Sequence, residues 1–179
     1  NDKNVAGANK VSYTGVALTG TGAGNYSIAD TAQGKGTITK RALTLGTVTA
    51  QTKIYDGTTA ADAGKFSAAL TNAIAGDSVA ATATGAAYNS KNVAAASAIG
   101  YTGVALSGAD AGNYSLAATT AQGAGTITAR ELTLGTVASQ SKTYDGTRAA
   151  DASKFSAALN NAVAGDNVTA AAAGATYND

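Results

Sequence analysis

Apolar and polar positions along the chain follow two rhythms. Short alternating runs, set off by Gly, Asn and Asp, cover residues 42–49, 79–84, 93–99, 104–107, 114–117 and 126–128, and each predicts a strand. Phe66, Ala69, Leu70, Ala73 and Ile74 instead fall at i, i+3, i+4, i+7 and i+8. That spacing predicts a short helix, with a strand as the alternative. The run GTITARELTLGTV, residues 125–137, alternates without a turn residue between Thr126 and Leu134 and predicts one strand passing straight from one segment into the next. Asn89, Ser90, Lys91 and Asn92 have the composition of a turn. The expected fold class is all-β, with room for one short helix per repeat. Alanine has low strand propensity, so pairing between segments must impose β structure on the Ala-rich runs.

The pattern repeats. KxYDGT stands at Lys53, Tyr55, Asp56, Gly57 and Thr58, and again at Lys142, Tyr144, Asp145, Gly146 and Thr147. LTLGTV, KFSAAL, YTGVAL, AGNYS and TAQGxGTIT also occur twice, at an offset of 88 residues up to AGNYS and 89 after it. A fixed internal period is the signature of a repeat architecture. The one-residue change of offset lies between Tyr114 and Thr120, which predicts a turn at a sheet end. The expected division is the C-terminal half of one repeat at 1–41, a complete module at 42–129 and the N-terminal half of another at 130–179. A boundary near Asn89 is the alternative. Small β-rich modules in a tandem linear array follow from either.

Composition narrows the chemistry. The 179 residues include 45 Ala, 26 Thr and 22 Gly but no His, Cys, Met, Trp or Pro. Imidazole or thiolate metal sites, His-dependent triads, thiol nucleophiles and disulfides are excluded. Burial stabilises at roughly 25 cal/mol per Å² of apolar surface, so alanine contributes little and thin, closely spaced layers are expected. A net charge of +1 offers no electrostatic footprint for nucleic acid. No apolar run is long enough to span a bilayer. The start, Asn1-Asp2-Lys3, carries neither an initiator Met nor a signal peptide, and predicts an excerpt of a longer chain.

Lys53 to Ala60, Gly76-Asp77-Ser78-Val79, Lys91-Asn92-Val93, Leu106 to Leu116 and Thr126-Ile127-Thr128 together resemble the YDG repeat, one of the MBG-like modules found in tandem in very large secreted proteins of the filamentous haemagglutinin type. The likeness covers the unit 42–129 and both flanking halves. It implies a bacterial surface or secreted adhesin whose copies form a stalk, exported largely unfolded. Asp110 of one copy is matched by Gly22 in the other, so a role that needs this carboxylate in every module is in doubt.

The structural reading of YDGT is a tight turn in which Asp56 binds nearby amides, Gly57 supplies a positive φ and Tyr55 packs on the sheet, with Tyr144, Asp145 and Gly146 repeating it. Gly112, Asn113 and Tyr114 are the other turn motif singled out. The competing reading is a sugar-stacking Tyr beside a hydrogen-bonding Asp. A calcium site from Asp62, Asp77, Asp110 and Asn113 would need about six to eight oxygens and lacks the loop pattern; turn and cap roles are expected. Alternating Thr predicts solvent-facing strand positions rather than an ice-binding array. Glu131 is the only Glu, which disfavours a Lys to Asn crosslink needing a placed acid. No carboxylate pair with aromatic neighbours suggests glycoside hydrolysis.

Three expectations follow. The chain is a non-enzymatic, cofactor-free spacer repeat of an extracellular or cell-surface adhesin or matrix fibre, whose partners are neighbouring copies. Alternatively, Tyr13, Tyr88, Tyr101 and Tyr177 are exposed and bind extracellular polysaccharide with avidity. Finally, complementary halves of different molecules join head to tail into filaments. Nucleic acid and a membrane span are not expected.

Overall fold

The computed structural model describes residues 2–178. Thirteen strands appear among them: β1 (Lys10–Thr14), β2 (Thr31–Lys35), β3 (Arg41–Val48), β4 (Gln51–Ile54), β5 (Ala68–Thr71), β6 (Ala80–Thr82), β7 (Gly85–Tyr88), β8 (Ala98–Thr102), β9 (Ala105–Ser107), β10 (Tyr114–Leu116), β11 (Thr120–Thr128), β12 (Thr133–Val137) and β13 (Ala157–Asn160). The only helical segments among the described residues are single 3-10 turns at Ala23–Asn25, Ala63–Lys65, Ala111–Asn113 and Ala152–Lys154. The fold is all-β, in several small sheets. No helix among the described residues is long and apolar enough to cross a membrane.

The sheets have the orders β1-β2, β10-β3-β5, β4-β11-β8-β7, β12-β13 and β6-β9. β10 runs parallel to the start of β3, placing Tyr114 opposite Arg41 and Leu116 opposite Leu43. β5 runs antiparallel to its other edge, with Leu45 opposite Leu70 and a register shift before Val48. The β12-β13 pair repeats that arrangement one copy later, with Leu134 opposite Leu159 and the shift before Val137.

Backbone contacts divide the chain into two compact units. One comprises residues up to Gln51 with Ala61–Ala87 and Ile99–Ala124; the other comprises Thr52–Ala60, Tyr88–Ala98 and the chain from Gly125 onward. In the first, Leu43, Phe66, Ile99, Tyr101, Val104 and Tyr114 are buried. The Phe66 and Tyr101 rings meet edge to face at 4.9 Å, an arrangement favoured by their quadrupoles. The buried Tyr101 hydroxyl accepts a 2.7 Å hydrogen bond from Gln51 Nε2, which also donates to the Asp62 carbonyl at 2.9 Å. This satisfies Gln51, the one buried polar side chain of the core among the described residues. In the second unit the buried apolar side chains are Tyr88, Ala96 and Ile127.

Three local expectations are corrected. The segment at helical spacing forms the 3-10 turn Ala63–Lys65, capped by Asp62 through a 2.9 Å bond from Gly64 N, and then β5. Antiparallel pairing with β3 overrides the helical period, and β5 alternates between half-buried and exposed positions. Residues 93–95 form a turn rather than strand, because the Ala95 and Ala96 amides fold back onto the Asn92 carbonyl. Asn89 Oδ1 accepts from the Ser97 and Ala98 amides, fixing where β8 begins. The expected continuous strand across 125–137 is interrupted from Ala129 to Leu132. The corresponding start of β3, Arg41–Leu43, has β10 as its ladder partner, whereas β12 pairs only from Thr133. The one-residue insertion falls in or beside the short connection between β10 and β11.

Candidate functional site: the YDGT loops and the contacts between copies

The sequence KIYDGT closes on itself through one carboxylate. Asp56 Oδ1 accepts from the Thr58 amide at 2.9 Å, the Thr58 hydroxyl at 2.9 Å and Lys53 Nζ at 2.8 Å. This is the side-chain mimic of a turn that Asp and Asn form readily, with a charge-assisted bond added. Lys53 Nζ also donates to the Thr58 and Ala60 carbonyls at 2.9 and 3.0 Å and lies 5.3 Å above the Tyr88 ring. Gly57 sits at φ +79°, where a side chain would be strained. The lysine side chain, with the amide and hydroxyl of Thr58, lowers the Asp56 carboxyl to about 2. The carboxylate is therefore ionised at neutral pH, a poor proton carrier.

The second loop repeats every contact. Asp145 Oδ1 accepts from Thr147 N, Thr147 Oγ1 and Lys142 Nζ at 2.9, 3.0 and 2.9 Å. Lys142 reaches the Thr147 and Ala149 carbonyls and lies 5.4 Å above Tyr177. Gly146 has φ +74°, and Asp145 is lowered to about 2 by Lys142.

Tyr55 and Tyr144 differ in their surroundings. Tyr55 is half-buried and lines a cavity together with Asp166, whose carboxylate raises the phenol's pKa above the ordinary tyrosine value. Around it stand Val93, Arg130, Val163 and Val168. The loop lies so close to the following copy that a Cβ added at Gly57 would come within 2.9 Å of Val163. Tyr144 is 93% exposed.

The AGNYS motif makes a second contact between copies. Asn113 Oδ1 accepts from the Val5 amide at 2.9 Å, and its Nδ2 donates to Asn4 Oδ1 at 2.9 Å. The neighbouring Tyr114 is buried. Its hydroxyl donates to Asp77 Oδ2 at 2.5 Å and accepts from Ile74 N at 3.1 Å, and the bond to Asp77 raises its pKa. Gly112 lies in the 3-10 turn Ala111–Asn113 with open space where a Cβ would stand.

The carboxylates weighed for calcium serve separate backbones and hydroxyls: Asp62 caps a turn, Asp77 takes the Tyr114 hydroxyl, and Asp110 accepts from Ser78 N at 2.8 Å. Of the tyrosines weighed for sugar contact, Tyr13 is exposed and Tyr177 is half-buried under Lys142. Tyr88 and Tyr101 are 4% and 1% exposed, which corrects their expected accessibility: both rings are core.

Asp166, Asn4 and Val5 were not singled out by the sequence. Their signal was the repeat itself, since the offset carries Asp77, which accepts the Tyr114 hydroxyl, onto Asp166, which shares a cavity with Tyr55.

The YDG domain family model matches residues 39–121 and 128–179. The chain belongs to the YDG domain family. No curated protein and no solved structure matches it.

Proposed function

We propose that the chain is a spacer repeat of a secreted or surface-anchored bacterial adhesin or matrix fibre, which creates reach and holds successive modules in a fixed relation. The observation that carries this reading is the contact between copies: Gly57 close against Val163, with Tyr55 and Asp166 lining one cavity, at one boundary and Asn113 on Asn4 and Val5 at the other. Lys53, Asp56, Lys142 and Asp145 are each occupied in holding a loop. In a tandem array whose modules meet mainly their neighbours, stability is a sum of unit and contact terms, and length grows with copy number.

The family match supports a YDG-type module; the adhesin setting and extracellular location rest on the resemblance described above. Small-angle scattering from chains of two, three and four copies tests the spacer role. The maximum dimension should rise by a constant increment per copy, and a dimension that levels off through back-folding would defeat it. The polysaccharide reading loses Tyr88 and Tyr101 to the core; tight glycan binding abolished by Tyr13→Ala would restore it.

A further inference from the structure

Two stretches of the repeat spanning 42–129 run side by side in the same sense. Arg41–Leu43 at the start of β3 lie parallel to β10, with Tyr114 opposite Arg41 and Leu116 opposite Leu43, a separation of 73 residues along the chain. The same separation recurs where β4 gives way to the YDGT loop: the Tyr55 amide donates to the Thr128 carbonyl at 2.9 Å, and Thr128 Oγ1 donates to the Lys53 carbonyl at 3.3 Å. Gly123 of β11 permits a close approach, since a Cβ there would come within 3.0 Å of Val48 Cγ1 and 3.3 Å of the Thr49 carbonyl oxygen. Thr49 thus lies beside Gly123 and Tyr55 beside Thr128, so β4 and β11, neighbours in one sheet, are parallel as β3 and β10 are. β3 and β4 are the first strands of the repeat, and β10 and β11 the last. Both pairings therefore join the stretch by which the chain enters the repeat to the stretch by which it leaves.

We infer that the repeat is a load-bearing clamp, in which tension along the chain loads the β3–β10 and β4–β11 pairings in shear. A pull draws β3 and β4 back toward the preceding copy and β10 and β11 forward toward the following one. Partners that run in the same sense then slide along each other, and the hydrogen bonds of the ladder share the load. An antiparallel pairing of entering and leaving strands would put both pulling points at one end of the ladder, where the bonds open one after another. Forced unfolding is governed by the unfolding rate, which falls exponentially with the barrier, so a ladder that must yield all at once outlasts one that opens stepwise. The inference deepens the spacer reading and rests on it for the source of the load.

Pulling the same repeat along two axes tests it. The chain has no cysteine, so introduced pairs set the axis in single-molecule force measurements on the full chain. Lys40→Cys with Ala129→Cys pulls along the strands. Lys40→Cys with Gly112→Cys pulls across them, since Lys40 and Gly112 border one cleft at the end of the ladder where Arg41 faces Tyr114. The first axis should need a several-fold higher unfolding force than the second. Ile54→Cys with Ala129→Cys supplies a second peeling axis, at the far ends of β4 and β11, and circular dichroism checks that each variant folds. A general loss of stability lowers the force on every axis, so the ratio of forces reads the clamp. Equal forces along and across the strands overturn the inference. So does gradual lengthening without a force peak when the repeat is pulled from Lys40 to Ala129. Neither result alters the scattering series across linked copies, and back-folding in that series leaves the ratio of forces unchanged, so failure of the inference and failure of the spacer reading are distinguishable.

Discussion

The two YDGT loops are the same loop in two settings. Between Lys53 and Ala60 and between Lys142 and Ala149 the hydrogen bonds of the lysine and the aspartate agree contact for contact. Yet the residues leading into the first form β4, whereas the equivalent stretch Gln140–Thr143 is no strand, and Tyr55 is half-buried where Tyr144 projects into solvent. The first loop has β11 beside it, with the Tyr55 amide donating to the Thr128 carbonyl at 2.9 Å, and a following copy to receive its ring. The loop is thus a local object, while its strand and its tyrosine need partners distant in sequence. Tyr114 and Tyr26 teach the same lesson: equivalent in the repeat, one is 2% exposed and the other 76%.

The largest expected break in this contrast comes from Ile127→Ala. Ile127 is 1% exposed in β11, and truncating a buried isoleucine costs about 2–5 kcal/mol. Loss of β11 should raise hydrogen exchange at the Tyr55 amide toward that of the Tyr144 amide, erasing the difference between the loops. An unchanged Tyr55 amide would show that β4 stands without its ladder.

Glycine to alanine sharpens the contrast. Gly57→Ala and Gly146→Ala should each lose roughly 1–2 kcal/mol for a left-handed alanine. Only Gly57→Ala should lose more, since its Cβ meets Val163 while nothing lies within 4 Å at Gly146. Equal losses in thermal unfolding would place the second copy away from the first loop.

Tyr55→Phe, which removes the hydroxyl that shares a cavity with Asp166, should lower stability and be coupled to Asp166→Asn in a double-mutant cycle, whereas Tyr144→Phe should be neutral in the dilute protein. Additive effects of Tyr55→Phe and Asp166→Asn would disconnect the pair.

The smallest effect is the acid titration, where the two loops should behave alike. Asp56 and Asp145 are both lowered to about 2, below an unfolded value of about 3.9. Their contribution is complete above the unfolded value and is lost as pH falls through about 2. Carboxyl NMR should show the two titrating together; separation would mean that the contacts of one loop differ in solution. Tyr55 runs the other way. Its phenol is raised by Asp166, so the neutral form is favoured and the contact contributes below an ordinary tyrosine value of about 10. That contribution fades as pH climbs through the raised value.

Much of this molecule was legible before any coordinates. The repeat, the all-β class and the self-closing YDGT turn were readable because Asp, Gly and Thr within a few residues of one another suffice to make the turn. The segment at 66–74 misled, since its helical period competed with pairing to β3, and tertiary hydrogen bonding won. The run 93–99 misled because Asn89 and Asn92 draw its first half into a turn, a side-chain effect invisible to apolar alternation. The tyrosines were hardest to place. Tyr101 became core while Tyr13, which opens the same YTGVAL motif, is 54% exposed.

Sequence alone determined the local chemistry: which loops close, which glycines take positive φ, how often the unit recurs. It could do so because those interactions span a few residues and cost little chain entropy to form. Tertiary structure alone decided which copies of a motif acquire strand partners and which tyrosines find a receptor. Both depend on segments tens of residues away, and identical motifs with different neighbours bury different surfaces.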